Sequence, residues 1–164
     1  MMTEAAPGLL VALEQSGFAA TVRQSTWLYP AANIGHIVSL TFFAGAIAVM
    51  DVRLLGGLAA TSPALLLARA RNFALAAFAG MAMTGAVLFS AEASHLAVNR
   101  AFQLKAVLVA AGLVNIAVYE LWARRAVERL QPGAPMPARA KIAGMLSLGI
   151  WVAVAACGRS IAYF

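Results

Sequence analysis

The sequence predicts an all-α integral membrane protein in which four transmembrane helices form an up-down-up-down bundle. Hydrophobic residues make up 63% of the chain and charged residues only 11%. A soluble domain carries ~25% charged residues, and one of this size could not hide so much apolar surface from water. Four apolar segments each approach the ~20 residues that cross a hydrocarbon core of ~30 Å. Basic residues concentrate in two of the loops between them, as membrane topology requires.

The first span is predicted at about residues 30–50, inside the stretch WLYPAANIGHIVSLTFFAGAIAVMDVRLLGG. His36, one of two histidines in the chain, lies near the start of this span. Asp51 and Arg53 follow its end, and their proximity in sequence predicts a local ion pair at the membrane interface. The stretch is therefore predicted to be a membrane helix with a polar residue inside.

The chain divides into an N-terminal region, residues 1–26, and a four-span membrane domain, residues 27–164. Pro7–Val22 is predicted to form a short helix on the membrane surface. No Lys or Arg precedes Arg23, so the region lacks the positive start of a signal peptide. The remaining spans are predicted at about residues 73–93, 101–122 and 142–163.

The second span has its own signals. Ser62 and Pro63 are typical of the cap and first turn of a helix that leads into this span. Small residues recur at four-residue spacing along it, at Ala76, Gly80 and Thr84. In lipid, where packing drives helix association, such a stripe favours close contact with a neighbouring helix.

Charge counting predicts the orientation in the membrane. The loops after spans one and three hold eight basic residues, namely Arg53, Arg69, Arg71, Arg124, Arg125, Arg129, Arg139 and Lys141. The positive-inside rule places these loops in the cytoplasm, and both termini on the periplasmic side. The net charge of +6 thus reflects topology and does not indicate a nucleic-acid partner.

This topology predicts a polar cluster in the outer third of the bundle. Ionisable residues inside a membrane are costly and usually face the bundle interior or a wet cavity. The predicted members come from all four spans and the turn between spans two and three: Asn33, His36, Glu92, His95, Asn99, Arg100, Lys105 and Arg159.

One interpretation of the cluster is a haem b site for electron transfer. His36 and His95 would ligate the iron from neighbouring helices, with Arg100, Lys105 and Arg159 near the propionates. The requirement is geometric, because span two must extend by about one turn for both imidazoles to reach one level.

Two other interpretations stay open. A metal such as copper would use the same histidines, with Met1 and Met2 as conceivable soft ligands. In the structural interpretation, Glu92 pairs with a nearby cation and His36 hydrogen-bonds across helices. The protein would then be a non-catalytic accessory subunit of a larger membrane complex, respiratory or photosynthetic, or would self-associate.

Catalytic signatures are missing from the sequence. It holds no glycine-rich phosphate loop, no His-Glu-x-x-His zinc motif and no Gly-x-Ser-x-Gly elbow. Cys157 sits in an apolar stretch that is typical of packing, and Glu120 is placed to pair with Arg124 one turn later. The sequence therefore favours a protein without enzymatic activity.

Several motifs together carry a resemblance: WLYPAANIGHIVSL, DVRLLGG, NRAFQLKAVLVAAGLVN and ACGRSIAYF. From Gln24 onward the chain resembles an uncharacterised family of small bacterial four-span inner-membrane proteins. It is more distantly similar to the membrane region of CopD-type copper-resistance proteins and to four-helix b-type membrane cytochromes. The resemblance implies the fold, the bacterial inner membrane and family positions for His36, Lys105 and Arg159. It implies no family position for His95 and no activity.

Overall fold

The computed structural model describes residues 7–163; residues 1–6, which include Met1 and Met2, and Phe164 lie outside them. The described chain is helical and contains no strand, which confirms the all-α prediction. The helices are α1 Gly8–Glu14, α2 Gly17–Gln24, α3 Leu28–Leu54, α4 Pro63–Ala91, α5 Ala93–Val98, α6 Arg100–Trp122, α7 Arg124–Glu128 and α8 Ala138–Ser160, followed by a 3₁₀ turn at Ile161–Tyr163.

Helices α3, α4, α6 and α8 are long and apolar enough to cross a membrane, which confirms a multi-pass helical protein. Two of them are longer than predicted. Helix α3 continues to Leu54, and α4 begins at Pro63, about ten residues before the predicted span; this confirms Ser62 and Pro63 as the predicted cap and first turn. The prediction followed hydropathy, which Arg69 and Arg71 interrupt. The backbone helix continues through both residues, because Ser62 accepts a hydrogen bond from the Leu65 amide and starts it earlier.

The long helices leave one side of the bundle loosely closed. Helix α3 packs along α4 and against α8, and α6 packs along α8. Helices α4 and α6 make no extensive backbone contact with each other in the described chain. The bundle is therefore a row α4–α3–α8–α6 that curls round, with a gap where its two ends meet.

Small residues set the α3–α4 spacing, as the stripe predicts. A Cβ on Gly80 would lie 2.8 Å from Ser39 Oγ of α3, well inside van der Waals contact. A Cβ on Gly35 of α3 would lie 3.2 Å from the Thr84 methyl group. The two backbones approach this closely only because these positions lack side chains.

The N-terminal region forms two helices where one was predicted. The break falls at Gln15 and Ser16, and Ser16 Oγ caps α2 by accepting from the Ala19 amide at 3.2 Å. Leu9 and Phe18 are exposed, which fits a segment that rests its apolar side on a membrane surface.

Two polar residues attach this region to the bundle. Arg23 Nη1 donates to the carbonyl oxygens of Glu14, at 2.8 Å, and Ala91, at 3.0 Å. The Glu14 carboxylate in turn accepts from the Ser94 amide at 2.7 Å and from the Ser94 hydroxyl. Helices α1 and α2 therefore cover the end of the bundle at which α4 gives way to α5.

Candidate functional site

His36 lies on α3 and hydrogen-bonds across to α4. Its Nδ1 is 3.1 Å from Oγ1 of Thr84, and the ring is half-buried. Thr84 Oγ1 is also 2.7 Å from the Gly80 carbonyl oxygen, to which its single proton can be donated. When Thr84 donates to Gly80, a neutral His36 donates to Thr84 from Nδ1 and has its lone pair on Nε2. Gly85 makes room for the ring, since a Cβ there would lie 3.1 Å from Cε1.

His95 lies on a different element from the one the haem hypothesis requires. Helix α4 ends at Ala91, and Glu92 breaks it with φ −140° and ψ 34°. His95 is exposed on the short helix α5, which packs against α1. Span two thus does not continue as one helix to His95, and a shared iron stays a prediction.

The predicted cations make no hydrogen bond to either histidine within the described residues, although Lys105 is close enough to His36 for its charge to act on the imidazole. Lys105 of α6 extends over Gly158 of α8, where a Cβ would lie 3.6 Å from Nζ. Arg159 is exposed and stacks on the Tyr163 ring, with its guanidinium carbon 4.7 Å from the ring centroid. Arg100 is exposed at the start of α6.

Glu92 and Asn99 make local contacts. Glu92 Oε1 accepts from the Tyr29 hydroxyl at 3.4 Å, and no ion pair forms between Glu92 and a cation within residues 7–163. The predicted pairing of Glu92 with Lys105, Arg100 or Arg159 is absent from the described structure. Asn99 caps α6 by accepting from the Phe102 amide at 3.0 Å. Asn33 is exposed on α3.

A second candidate site lies at the opposite end of the bundle from the predicted polar cluster. A cavity of about 460 Å³ sits in the half nearer the basic loops, and all four long helices contribute to its wall. Most of the wall is apolar, with an aromatic floor in which Phe43 packs 4.6 Å from Trp151 and 5.6 Å from Phe78, centroid to centroid. The polar side chains of the wall are Asp51, Arg71, Asn115, Glu120, Arg124 and Ser147, with Tyr119 and Trp151 as polar aromatics.

Side-chain pairs frame the gap between α4 and α6, beside which the cavity lies. At the end of the bundle near α5, Phe89 stacks on Phe102 with centroids 5.4 Å apart. Toward the basic loops, Arg71 Nη1 of α4 donates to Glu120 Oε1 of α6 at 2.9 Å. The two pairs stand ~27 Å apart along α4 at 1.5 Å per residue.

The ion pair belongs to a balanced group at the cavity mouth. Arg124 donates to Glu120 Oε2 and to Glu128 Oε1, both at 2.6 Å. The Glu120–Arg124 pair was predicted from its spacing and is confirmed. Hydrogen bonds to Glu128 and Glu120 raise the pKa of the Arg124 guanidinium above its ordinary value. Two arginines and two glutamates thus offset one another.

Asp51 has no cationic partner among the described residues, although the Ser147 hydroxyl is close enough to act on its carboxyl group. Its side chain is 3% exposed, it lines the cavity, and Oδ2 makes no hydrogen bond within the described structure. Trp151 Nε1 is a second buried polar atom in the wall without a partner among the described residues. Buried polar atoms normally find partners, so the cavity holds one acceptor and one donor that a bound molecule would satisfy.

The predicted Asp51–Arg53 ion pair is wrong. Residues two apart on a helix point in different directions, and here both side chains are buried rather than interfacial. Arg53 turns under the α3–α4 loop, donating toward the carbonyl oxygens of Gly57 at 3.5 Å and Thr61 at 3.3 Å. Asp51 lines the cavity instead, without a cation in ion-pair range among the described residues.

The cavity was not predicted from the sequence, because its wall contains no histidine and none of the intramembrane cations that mark the outer cluster. The usable signal was a second set of polar residues at membrane depth, Asp51, Asn115 and Ser147, one on each of three spans. Because α3 packs against α8 and α8 packs against α6, these three residues meet in one cavity wall. Within residues 7–163, no group of three or more His, Cys, Asp or Glu side chains is placed to hold a metal ion.

Fold and site together define a multi-pass helical membrane protein with a cavity walled by its four spans. The model of a family described as "Family of unknown function (DUF6644)" matches residues 16–164, and the chain belongs to that family. No curated protein and no solved structure matches the chain.

Proposed function

We propose that this protein is a non-catalytic binding protein of the bacterial inner membrane, which takes up an amphipathic, lipid-soluble molecule through the gap between α4 and α6. In the proposed orientation the basic loops lie in the cytoplasm, so the cavity opens in the cytoplasmic half of the bilayer. The observation that carries the proposal is an apolar cavity of ligand size whose wall holds two unsatisfied polar atoms, Asp51 Oδ2 and Trp151 Nε1.

The polarity gradient of the cavity supports an amphipathic ligand. The charged side chains of Asp51, Arg71 and Glu120 lie toward the basic-loop ends of their helices, while Phe43 and Trp151 form the floor. Asp51 and Phe43 are eight residues apart on α3, which is ~12 Å of helix. A head group near Asp51 would place an alkyl tail along the apolar wall.

Fluorescence quenching of Trp151 tests this proposal. In a Trp27→Phe, Trp122→Phe background, Trp151 is the one remaining tryptophan, and the protein in lipid nanodiscs is titrated with 12-bromododecanol. The expected result is saturable quenching that Ala74→Phe abolishes, because Ala74 is buried in the cavity wall. Ala79→Phe is the matched control on an exposed position of α4.

Two results would overturn the proposal. One is quenching that rises linearly with probe and never saturates, as partition into bulk lipid would give. The other is equal quenching in Ala74→Phe and Ala79→Phe, which would place the probe outside the cavity.

A haem b site is the second candidate, and the His36–Thr84 hydrogen bond favours it. A ligand histidine normally donates its other ring nitrogen's proton to a fixed acceptor, and Thr84 is such an acceptor here. His36 would hold the iron through Nε2, His95 is the proposed second ligand, and Arg100, Lys105 and Arg159 would approach the propionates. When bound, the haem would supply one-electron transfer.

The absorption spectrum decides between this candidate and its alternatives. Protein purified in detergent from haem-supplied cells would show a Soret band that His36→Ala removes. A colourless protein rules the haem out. A colourless protein that purifies in fixed ratio with larger membrane subunits, and does not bind 12-bromododecanol, would instead support the accessory-subunit interpretation.

A further inference from the structure

We infer that the cavity selects lipid-soluble cations, such as alkylammonium amphipaths, and that Asp51 is the residue that reads the positive charge. This inference rests on the proposed function and adds to it the chemical class of the ligand.

The charge balance of the wall is the first argument. Around the mouth, Arg71 and Arg124 are each paired with Glu120, and Arg124 also with Glu128, so their charges offset one another. Asp51 is the carboxylate of the wall that has no cation in ion-pair range among residues 7–163. Asp51 is therefore the wall carboxylate that a cationic ligand could pair with without displacing an arginine of the described chain.

The direction of Arg53 is the second argument. Arg53 is the nearest basic residue to Asp51 in sequence, and it is 1% exposed. Its guanidinium is used under the α3–α4 loop, on the carbonyl oxygens of Gly57 and Thr61. The protein thus keeps a cation within two residues of Asp51 and still leaves Oδ2 unpaired.

Burial gives the third argument. A carboxylate removed from water without a partner is costly, and the cost falls when a donor or a cation approaches it. A ligand ammonium would provide that partner at Asp51, where α3 is three residues from its end. Tyr119 and Trp151 are aromatic residues of the same wall, and aromatic rings attract cations at close range.

The depth of Asp51 suits an amphipathic cation. A charged head group prefers the interfacial level of the bilayer, and Asp51 is close to the helix end that adjoins the basic loops. The tail then lies toward the aromatic floor at Phe43 and Phe78. A carboxylate deeper in the bundle would demand full dehydration of the head group.

Three brominated probes with one tail test the inference on the single-tryptophan protein in nanodiscs: 12-bromododecyltrimethylammonium, 12-bromododecanol and 12-bromododecanoate. The expected order of affinity has the ammonium probe tightest, by about tenfold over the alcohol, which corresponds to ~1.4 kcal/mol. Asp51→Asn should remove this advantage, so that the ammonium probe binds this variant no more tightly than the alcohol does. Glu92→Gln, which removes an exposed carboxylate at the other end of the bundle, should keep the advantage.

The outcomes separate this inference from the proposed function. If the alcohol binds saturably and the ammonium probe no more tightly, the cavity binds amphipaths but Asp51 does not select cations. Tightest binding of the carboxylate probe would assign the head group to Arg71 instead. If no probe saturates, the proposed function itself fails. The ranking of probes needs no variant, so misfolding of Asp51→Asn would not remove the test.

Discussion

Arg71 on α4 donates to Glu120 on α6 across 2.9 Å, and this ion pair joins two helices whose backbones make no extensive contact in the described chain. Both residues also belong to the cavity wall. The ion pair therefore connects α4 and α6 at one end of the gap, and the stacked rings of Phe89 and Phe102 connect them at the other end. Access to the cavity depends on how far α4 and α6 separate between them.

Removing the Arg71–Glu120 ion pair should weaken the association of α4 with α6. Arg71→Gln deletes the ion pair but leaves Glu120 bonded to Arg124, and we expect a loss of about 1–2 kcal/mol in the free energy of unfolding. Thermal denaturation in detergent, followed by circular dichroism, measures it. Arg69→Gln, an exposed position on the same helix, is the control. Equal effects of the two substitutions would show that the pair does not join the helices.

The floor of the cavity depends on Gly112. A Cβ there would lie 2.8 Å from Cζ2 of Trp151, so Gly112→Ala must push the rigid indole aside. We expect a loss of about 1–3 kcal/mol from overpacking and a shifted Trp151 emission maximum. Gly149→Ala, with nothing within 4 Å of the new methyl group, gives the propensity gain alone. If Gly112→Ala is as stable as Gly149→Ala, the Trp151 indole does not pack against α6 at Gly112.

Thr84 should contribute to the α3–α4 interface through His36. Thr84→Val keeps the shape but leaves Nδ1 of a half-buried imidazole without its acceptor, at an expected cost of about 1 kcal/mol. Thr41→Val is the matched control, because Thr41 makes the same kind of bond to its own helix, at Ile37, and is exposed. A loss no larger than that of Thr41→Val would contradict the cross-helix bond.

Acid should release the N-terminal helices. Hydrogen bonds from Ser94 to its carboxylate lower the pKa of Glu14 below the ordinary 4.5. A lowered folded-state pKa means that the attachment is fully present above pH 4.5 and is lost as pH falls through the lower value. Hydrogen exchange of a peptide containing Ser94 should therefore accelerate on acidification, after correction for the intrinsic rate. Glu14→Gln should remove the pH step, and a step that persists in this variant would contradict the assignment.

Hydropathy and charge were sufficient to predict the four spans and their order. Hydropathy marked only the part of α4 after Arg69 and Arg71, whereas the capping signal at Ser62 and Pro63 correctly predicted where this helix begins. The sequence also predicted an ion pair between Asp51 and Arg53, because the two residues are close along the chain. Only the tertiary arrangement shows that Asp51 turns into a cavity.

The two candidate sites differ in how well they can be predicted from the sequence. The outer cluster was predicted because its members are rare residue types, histidine and intramembrane cations. The cavity is a property of a gap between α4 and α6, and a gap leaves no pattern in either helix alone. The volume of the cavity depends on which helices pack together, and that packing cannot be inferred from the pattern of any single helix.

Photo-cross-linking in nanodiscs tests the cavity most directly. A dodecanol that carries a diazirine on its tail is irradiated with the protein, and labelled residues are mapped by mass spectrometry. We expect labels on the cavity wall, centred on Ala74, Leu113 and Ile116, and we expect excess 12-bromododecanol to suppress them. Labels confined to outward positions such as Val107 and Leu121, unaffected by competitor, would contradict it.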